Sequence, residues 1–141
     1  TDPRMTRFMI TQETAIELIW HAFEDMNGGE VYIKKIPSMN ITDIAKAVSD
    51  TAKHKIIGIR PGEKIHEQMI GVEDAPYTYE YDGHYKILPA IFDAFKNIEW
   101  IGNGVKVSND FCYTSDNNKD WMSISSLQSW IEDHRATIGK F

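Results

Sequence analysis

Arg60-Pro61-Gly62-Glu63 places a guanidinium and a carboxylate on either side of a Pro-Gly turn. A guanidinium is a planar fork of N–H donors that matches phosphate oxygens, and a carboxylate can accept from both hydroxyls of a cis-diol. Together they have the chemistry of half a clamp for a phosphate and a sugar. The β-branched run Ile56-Ile57-Gly58-Ile59 leads into the turn, and the charged stretch Glu63-Lys64-Ile65-His66-Glu67 leaves it. That order predicts a strand over 55–59 and a short helix from about 63 to 69. The helix's first turn would add free N–H groups and a dipole favourable to an anion.

Other reactive residues carry weaker signals. Glu63-x-x-His66 would put two metal ligands on one helix face, as in carboxylate-bridged di-iron bundles. Such sites need a second motif and more carboxylates, and none is visible; His66 reads instead as packed or hydrogen-bonded near the turn. Cys112 is the only cysteine, so neither an internal disulfide nor a paired-cysteine zinc site can form. It lies in a run of strand composition and reads as a small buried apolar group rather than a nucleophile. The tyrosines between Tyr77 and Tyr85 could stack on a base, but aromatic alternation is ordinary strand chemistry.

The elements that position these residues follow from periodicity. A short extended segment over 5–10 enters a helix that Thr11 can cap. Ala15, Leu18, Ile19, Ala22 and Met26 give that helix an apolar face, and Asn27-Gly28-Gly29 ends it. Residues 30–34 alternate like a strand, with Val31 and Ile33 on one face. Residues 37–40 read as a connector to a helix bearing Ile41, Ile44, Ala45, Val48 and Ala52. This alternation predicts an α/β unit with parallel pairing. Beyond Met69 the pattern changes. Residues 77–81 and 85–88 flank Asp82-Gly83-His84, a hairpin signal. Ile91, Phe92, Phe95 and Ile98 suit a short helix or a packed loop, and 105–114 has strand composition. A last helix starts near Ser123, with Ile124, Leu127, Ile131 and His134 on one side. The expected fold class is α/β (α+β), a small mixed sheet with packed helices.

The 141 residues suit one domain over 1–141, and 42% hydrophobic content is enough for an ordinary core. A formal charge of −6 argues against binding nucleic-acid backbones, though not against one small anion held by a few arginines. The sequence has no apolar run long enough for a transmembrane helix, and a cytoplasmic setting is expected. The chain opens Thr1-Asp2-Pro3-Arg4, which suggests either a processed start or a part of something longer.

Several separated motifs resemble one family in order and spacing. They are Asp2-Pro3-Arg4-Met5-Thr6-Arg7-Phe8, Ile36-Pro37-Ser38-Met39, Arg60-Pro61-Gly62-Glu63-Lys64-Ile65-His66-Glu67, Tyr79-Glu80-Tyr81 and Tyr113-Thr114-Ser115-Asp116-Asn117. The family is the inverting UDP-N-acetylglucosamine 4,6-dehydratases of bacterial surface-polysaccharide and flagellin-glycan biosynthesis, which are extended short-chain dehydrogenase/reductases. The resemblance covers nearly the whole chain but only the C-terminal part of the family. The family's Rossmann domain brings a glycine-rich cofactor turn and a Tyr-x-x-x-Lys pair. Neither occurs here: Tyr81 is followed four residues on by Tyr85, and Tyr113 by Asn117.

The resemblance therefore implies a substrate-binding region without its Rossmann domain, inactive alone, with NAD(P) expected only in the full-length family. It implies that Arg7 and Arg60 grip a UDP-sugar diphosphate and that Glu63 accepts from the ribose hydroxyls. It also implies a Rossmann partner, in cis or in trans; the apolar face that would meet that partner predicts self-association into homo-oligomers. Plainer roles stand beside these. Arg60 could be a surface ion pair of little energetic weight. Arg4 could replace Arg7 or pair with Asp2. Glu63 could be a favourable acid in a first helical turn, with Lys64 its solvated neighbour. Two other readings of the whole chain are a stand-alone sugar-nucleotide module acting in trans and a non-catalytic assembly module.

Overall fold

A computed structural model describes residues 2–91 and 98–138. In chain order the elements are β1 (Thr6–Phe8), α1 (Gln12–Asp25), β2 (Val31–Lys34), β3 (Ser38–Asn40), α2 (Ile41–Val48), β4 (Gln68–Ile70), β5 (Thr78–Glu80), β6 (His84–Ile87), β7 (Val105–Lys106), β8 (Tyr113–Thr114), α3 (Ile124–Asp133) and α4 (Arg135–Ile138). Helices and several small sheets thus share one chain, an α/β mixture. It divides into two compact units, one of residues 1–9, 37–67 and 114–141, the other of residues 10–36 and 68–113.

In the first unit β1 and β3 pair antiparallel, with Thr6 opposite Asn40 and Phe8 opposite Ser38. Residues 37–40 are therefore not a mere connector. Asn40 ends the strand and caps α2, its side-chain oxygen accepting from the Thr42 N–H at 2.9 Å. Ser123 caps α3 in the same way, through the Ser126 N–H at 3.0 Å. The two helices close on Met39, Ala47 and Leu127, with Ile44, Ile124 and Trp130 packed at the margin. Burying a leucine such as Leu127 contributes about 1.5–3 kcal/mol.

The second unit holds a four-stranded sheet in the order β2-β6-β5-β7. Its ladders are antiparallel. This corrects the parallel pairing expected of the elements before Met69, since β2 lies antiparallel to β6 and β1 to β3, and it agrees with the hairpin expected over 77–88. There β5 and β6 are joined by the tight Asp82-Gly83 turn, closed by the Tyr81 N–H donating to His84 O at 2.9 Å. So short a connection allows only an antiparallel partner. Thr11 caps α1 as expected, accepting from the Thr14 N–H at 3.1 Å. Of the apolar face expected for α1, Ala15, Leu18 and Ala22 are half-buried, while Ile16, Ile19, Trp20, Phe23 and Met26 form an open apolar stripe beside it, Trp20 and Phe23 exposed at 65% and 66%.

Three more expectations change. Residues 55–59 form no strand; Gly58 has φ +76°, outside strand geometry. Residues 63–69 form no helix, and β4 begins at Gln68. Of the run 105–114, only its ends are strand, and Cys112 is half-buried between them. Ile91 lies in a turn and Ile98 begins a short 3-10 turn; Phe92 and Phe95 lie outside the described residues.

Candidate functional site

Arg60 to Glu63 is a closed turn. The Glu63 N–H donates to Arg60 O at 3.0 Å, and Gly62 sits at φ +81°. Proline second and a positive-φ glycine third is the type II pattern. Glu63 then folds back: its Oε2 accepts from the Arg60 N–H at 3.0 Å. The carboxylate thus locks the turn through Oε2, and among the described residues Oε1 accepts no hydrogen bond. The Arg60 side chain is exposed, and among the described residues its guanidinium has no hydrogen bond or ion pair. The turn fixes where this unpartnered planar cation leaves the chain, and its fork has donors that match an anion's oxygens.

Arg7 is differently employed. From β1 it reaches the segment after the turn. Its Nη1 donates to Thr6 O at 2.6 Å and Ile65 O at 3.1 Å, and its Nη2 to Lys64 O at 3.1 Å. Its Nε lies 3.4 Å from Glu67 Oε1. Arg7 is therefore a strut that holds the 64–67 backbone and retains one Nη2 proton for anything else. Arg4 pairs with Asp2 at 2.8 Å, and this partner holds the Asp2 carboxyl down at about 2.

A polar network beneath the strut escaped sequence reasoning. The Thr6 hydroxyl is 2.8 Å from His66 Nδ1 and 2.6 Å from Ser115 Oγ. Ser115 Oγ accepts from the Glu67 N–H at 2.9 Å. His66 Nε2 is 3.8 Å from Asp116, whose carboxyl lies below its ordinary range chiefly because the Thr114 hydroxyl donates to it. The order hydroxyl, imidazole, carboxylate resembles a nucleophilic triad. Thr6 and Ser115, however, are 4% and 0% exposed, so no substrate can approach either oxygen. The network fixes the loop instead, as read for His66. The only sequence signal was the polar cluster of residues 113–117. Among the described residues no His, Cys, Asp or Glu cluster could hold a metal. With no helix over 63–69, Glu63 and His66 are not carried on one helix face.

The second unit has a polar centre of its own. Lys86, 2% exposed, donates to Asp25 at 2.7 Å and to Trp100 O at 2.9 Å. Its ammonium lies 5.0 Å from the Tyr81 ring centre and 5.7 Å from that of Tyr32. Burial works to raise the Asp25 carboxyl, but hydrogen bonds from Lys86 and Tyr32 outweigh it and bring it below its ordinary range. Tyr81 stacks on His84 at 4.7 Å, so that face is not open to a base. This cluster ties the end of α1 to the sheet. Nothing in the sequence distinguishes Lys86 from an ordinary surface lysine on β6.

A family model described as "Polysaccharide biosynthesis protein" matches residues 1–89. A UDP-N-acetylglucosamine 4,6-dehydratase (inverting) of Campylobacter jejuni is 47% identical over 132 residues, which is 90% of this chain and 40% of that protein. A UDP-glucose 4-epimerase of Rickettsia akari is 35% identical over 62% of this chain and 27% of its own length. The X-ray structure of Pen from Bacillus thuringiensis is similar at TM-score 0.72 and 25% identity, covering 96% of this chain and 39% of that one. The chain thus spans about two fifths of the dehydratase and of the solved structure.

Proposed function

The chain belongs to the polysaccharide biosynthesis protein family, and on that footing we propose that it is the nucleotide-sugar-binding portion of a UDP-N-acetylhexosamine 4,6-dehydratase-like enzyme. It corresponds to the C-terminal part of a longer cytoplasmic protein and is not catalytic alone. The observation that carries this reading is the locked turn, with the outward Arg60 fork beside the Glu63 carboxylate. Arg60 meets the diphosphate, Glu63 Oε1 accepts from ribose hydroxyls, and Arg7 holds the segment while offering its remaining proton. The sequence has no G-x-G-x-x-G turn, so its residues do not fit a dinucleotide. NAD(P) and the proton-transfer tyrosine and lysine belong to the length of the relatives that this chain does not span. The open apolar side of α1 supports a Rossmann-domain partner, in cis or in trans.

Calorimetric titration of the chain with UDP-N-acetylglucosamine and with UDP tests the grip. Saturable binding is expected, weakened about tenfold or more in Arg60→Ala, since a charge-assisted contact contributes about 1.5–3 kcal/mol. Equal affinity of the folded variant would sink the assignment of Arg60. No binding by the folded wild-type chain would overturn an autonomous grip.

A further inference from the structure

We propose that His66 is a positioning residue for Arg7. Held as the tautomer with its proton on Nε2, it ends a one-way chain of hydrogen bonds. That chain fixes residues 64–67 against β1 and so sets the direction of the Arg7 guanidinium. It has three links: the Glu67 N–H to Ser115 Oγ at 2.9 Å, Ser115 Oγ to Thr6 Oγ1 at 2.6 Å, and Thr6 Oγ1 to His66 Nδ1 at 2.8 Å. The amide proton fills the first link, and the two hydroxyl protons remain for the other two. Thr6 and Ser115 are buried, and among the described residues neither hydroxyl has another acceptor. A proton on Nδ1 would be a fourth for three links and would strand a buried donor. Ser115 therefore donates to Thr6, and Thr6 donates to His66 Nδ1. The ring proton is left on Nε2, 3.8 Å from Asp116 Oδ2. The carboxylate attracts that edge of the ring, and the Thr114 hydroxyl holds it by donating to Asp116 Oδ1 at 2.6 Å.

Both ends of the chain touch the frame of Arg7. Thr6 precedes it in β1; the Thr6 carbonyl accepts from Arg7 Nη1, and the Thr6 N–H donates to Ile65 O at 3.0 Å. His66 lies between Ile65, whose carbonyl also accepts from Nη1, and Glu67, whose carboxylate faces Nε. Glu67 O in turn accepts from the Ser115 N–H at 2.8 Å. Without an acceptor at His66, the Thr6 side chain loses its tie to this segment, and the carbonyls that aim Arg7 are no longer fixed. That the aim serves a nucleotide rests on the reading above; the tautomer and the hold on Arg7 do not.

Nitrogen-15 NMR of the folded chain, at a pH where free imidazole is neutral, reads the ring without any variant. His66 is expected to show a bare Nδ1 and a protonated Nε2. Solvent exchange of the Arg7 Nε–H is expected to quicken at least fivefold in His66→Ala. Most of that change should be reversed in His66→Asn, whose amide oxygen can accept from Thr6. In UDP titrations His66→Ala is expected to weaken binding about fivefold, the weight of one lost hydrogen bond. In an Arg7→Ala background it is expected to cost nothing further. A proton on Nδ1 would overturn the proposal. So would unchanged Arg7 exchange in a folded His66→Ala chain, or a further fivefold loss in the double variant. A wild-type chain that binds no UDP would overturn the nucleotide grip alone, since the ring and Arg7 are read without nucleotide.

Discussion

At the scale of single residues, the two arginines have divided labour. Arg60 keeps its guanidinium unengaged, whereas Arg7 spends most of its donors on the carbonyls of Lys64, Ile65 and Thr6. Residue type pointed to both, but sequence spacing could not separate them, because two of the acceptors that occupy Arg7, Lys64 O and Ile65 O, lie far along the chain. His84 carries a consequence for pH. Burial, and then the positive charge of nearby His21, press its pKa down to about 4 from 6.5. The folded chain therefore holds this imidazole neutral where the unfolded chain is protonated. Its contribution to stability is complete above pH 6.5 and falls as pH drops toward 4. The slope cannot exceed about 1.4 kcal/mol per pH unit, and partial exposure screens it further. Urea midpoints are expected to be lower at pH 5 than at pH 7.5, with a smaller difference in His84→Gln. An undiminished difference in that variant would place the titration elsewhere.

At the scale of elements, the turn depends on Gly62, whose φ of +81° disfavours any side chain. Gly62→Ala is expected to lower stability by about 1 kcal/mol and to weaken UDP binding by disturbing the angle at which Arg60 leaves the chain. A thermal midpoint and affinity equal to wild type would show that the turn is not rigid. Helices α1, α2 and α3 and the β5–β6 hairpin were legible, because their caps and turn residues act within a few positions. The stretch 63–69 was not. Its charged residues favour a helix, but Ile65 O accepts from the Thr6 N–H and from Arg7 instead of a residue one turn ahead. Tertiary partners overrode local propensity. The run 55–59 has strand composition without a strand to pair, and Gly58 interrupts it. Of the candidate site, the Arg60–Glu63 pair could be read from the Pro-Gly turn. The Thr6–His66–Ser115 network could not, since its members meet across separations of 60 and 109 residues.

At the scale of the whole molecule, the open stripe of α1 predicts self-association of the isolated chain. Sedimentation velocity is expected to show a concentration-dependent dimer, diminished by Phe23→Lys on the exposed side of the helix. A clean monomer at high concentration would remove that expectation. The interleaving of the two units has a consequence in time. Residues 10–36 and 68–113 complete one unit, but the other needs residues 114–141 as well. During synthesis the sheet-bearing unit can therefore be finished while β1, β3 and α2 still wait for the helix that covers Met39 and Ala47. Until α3 emerges, those side chains have no cover of their own. A nascent chain stalled just short of Thr114 would be half a finished protein and half an exposed core, the form in which a chaperone would meet it.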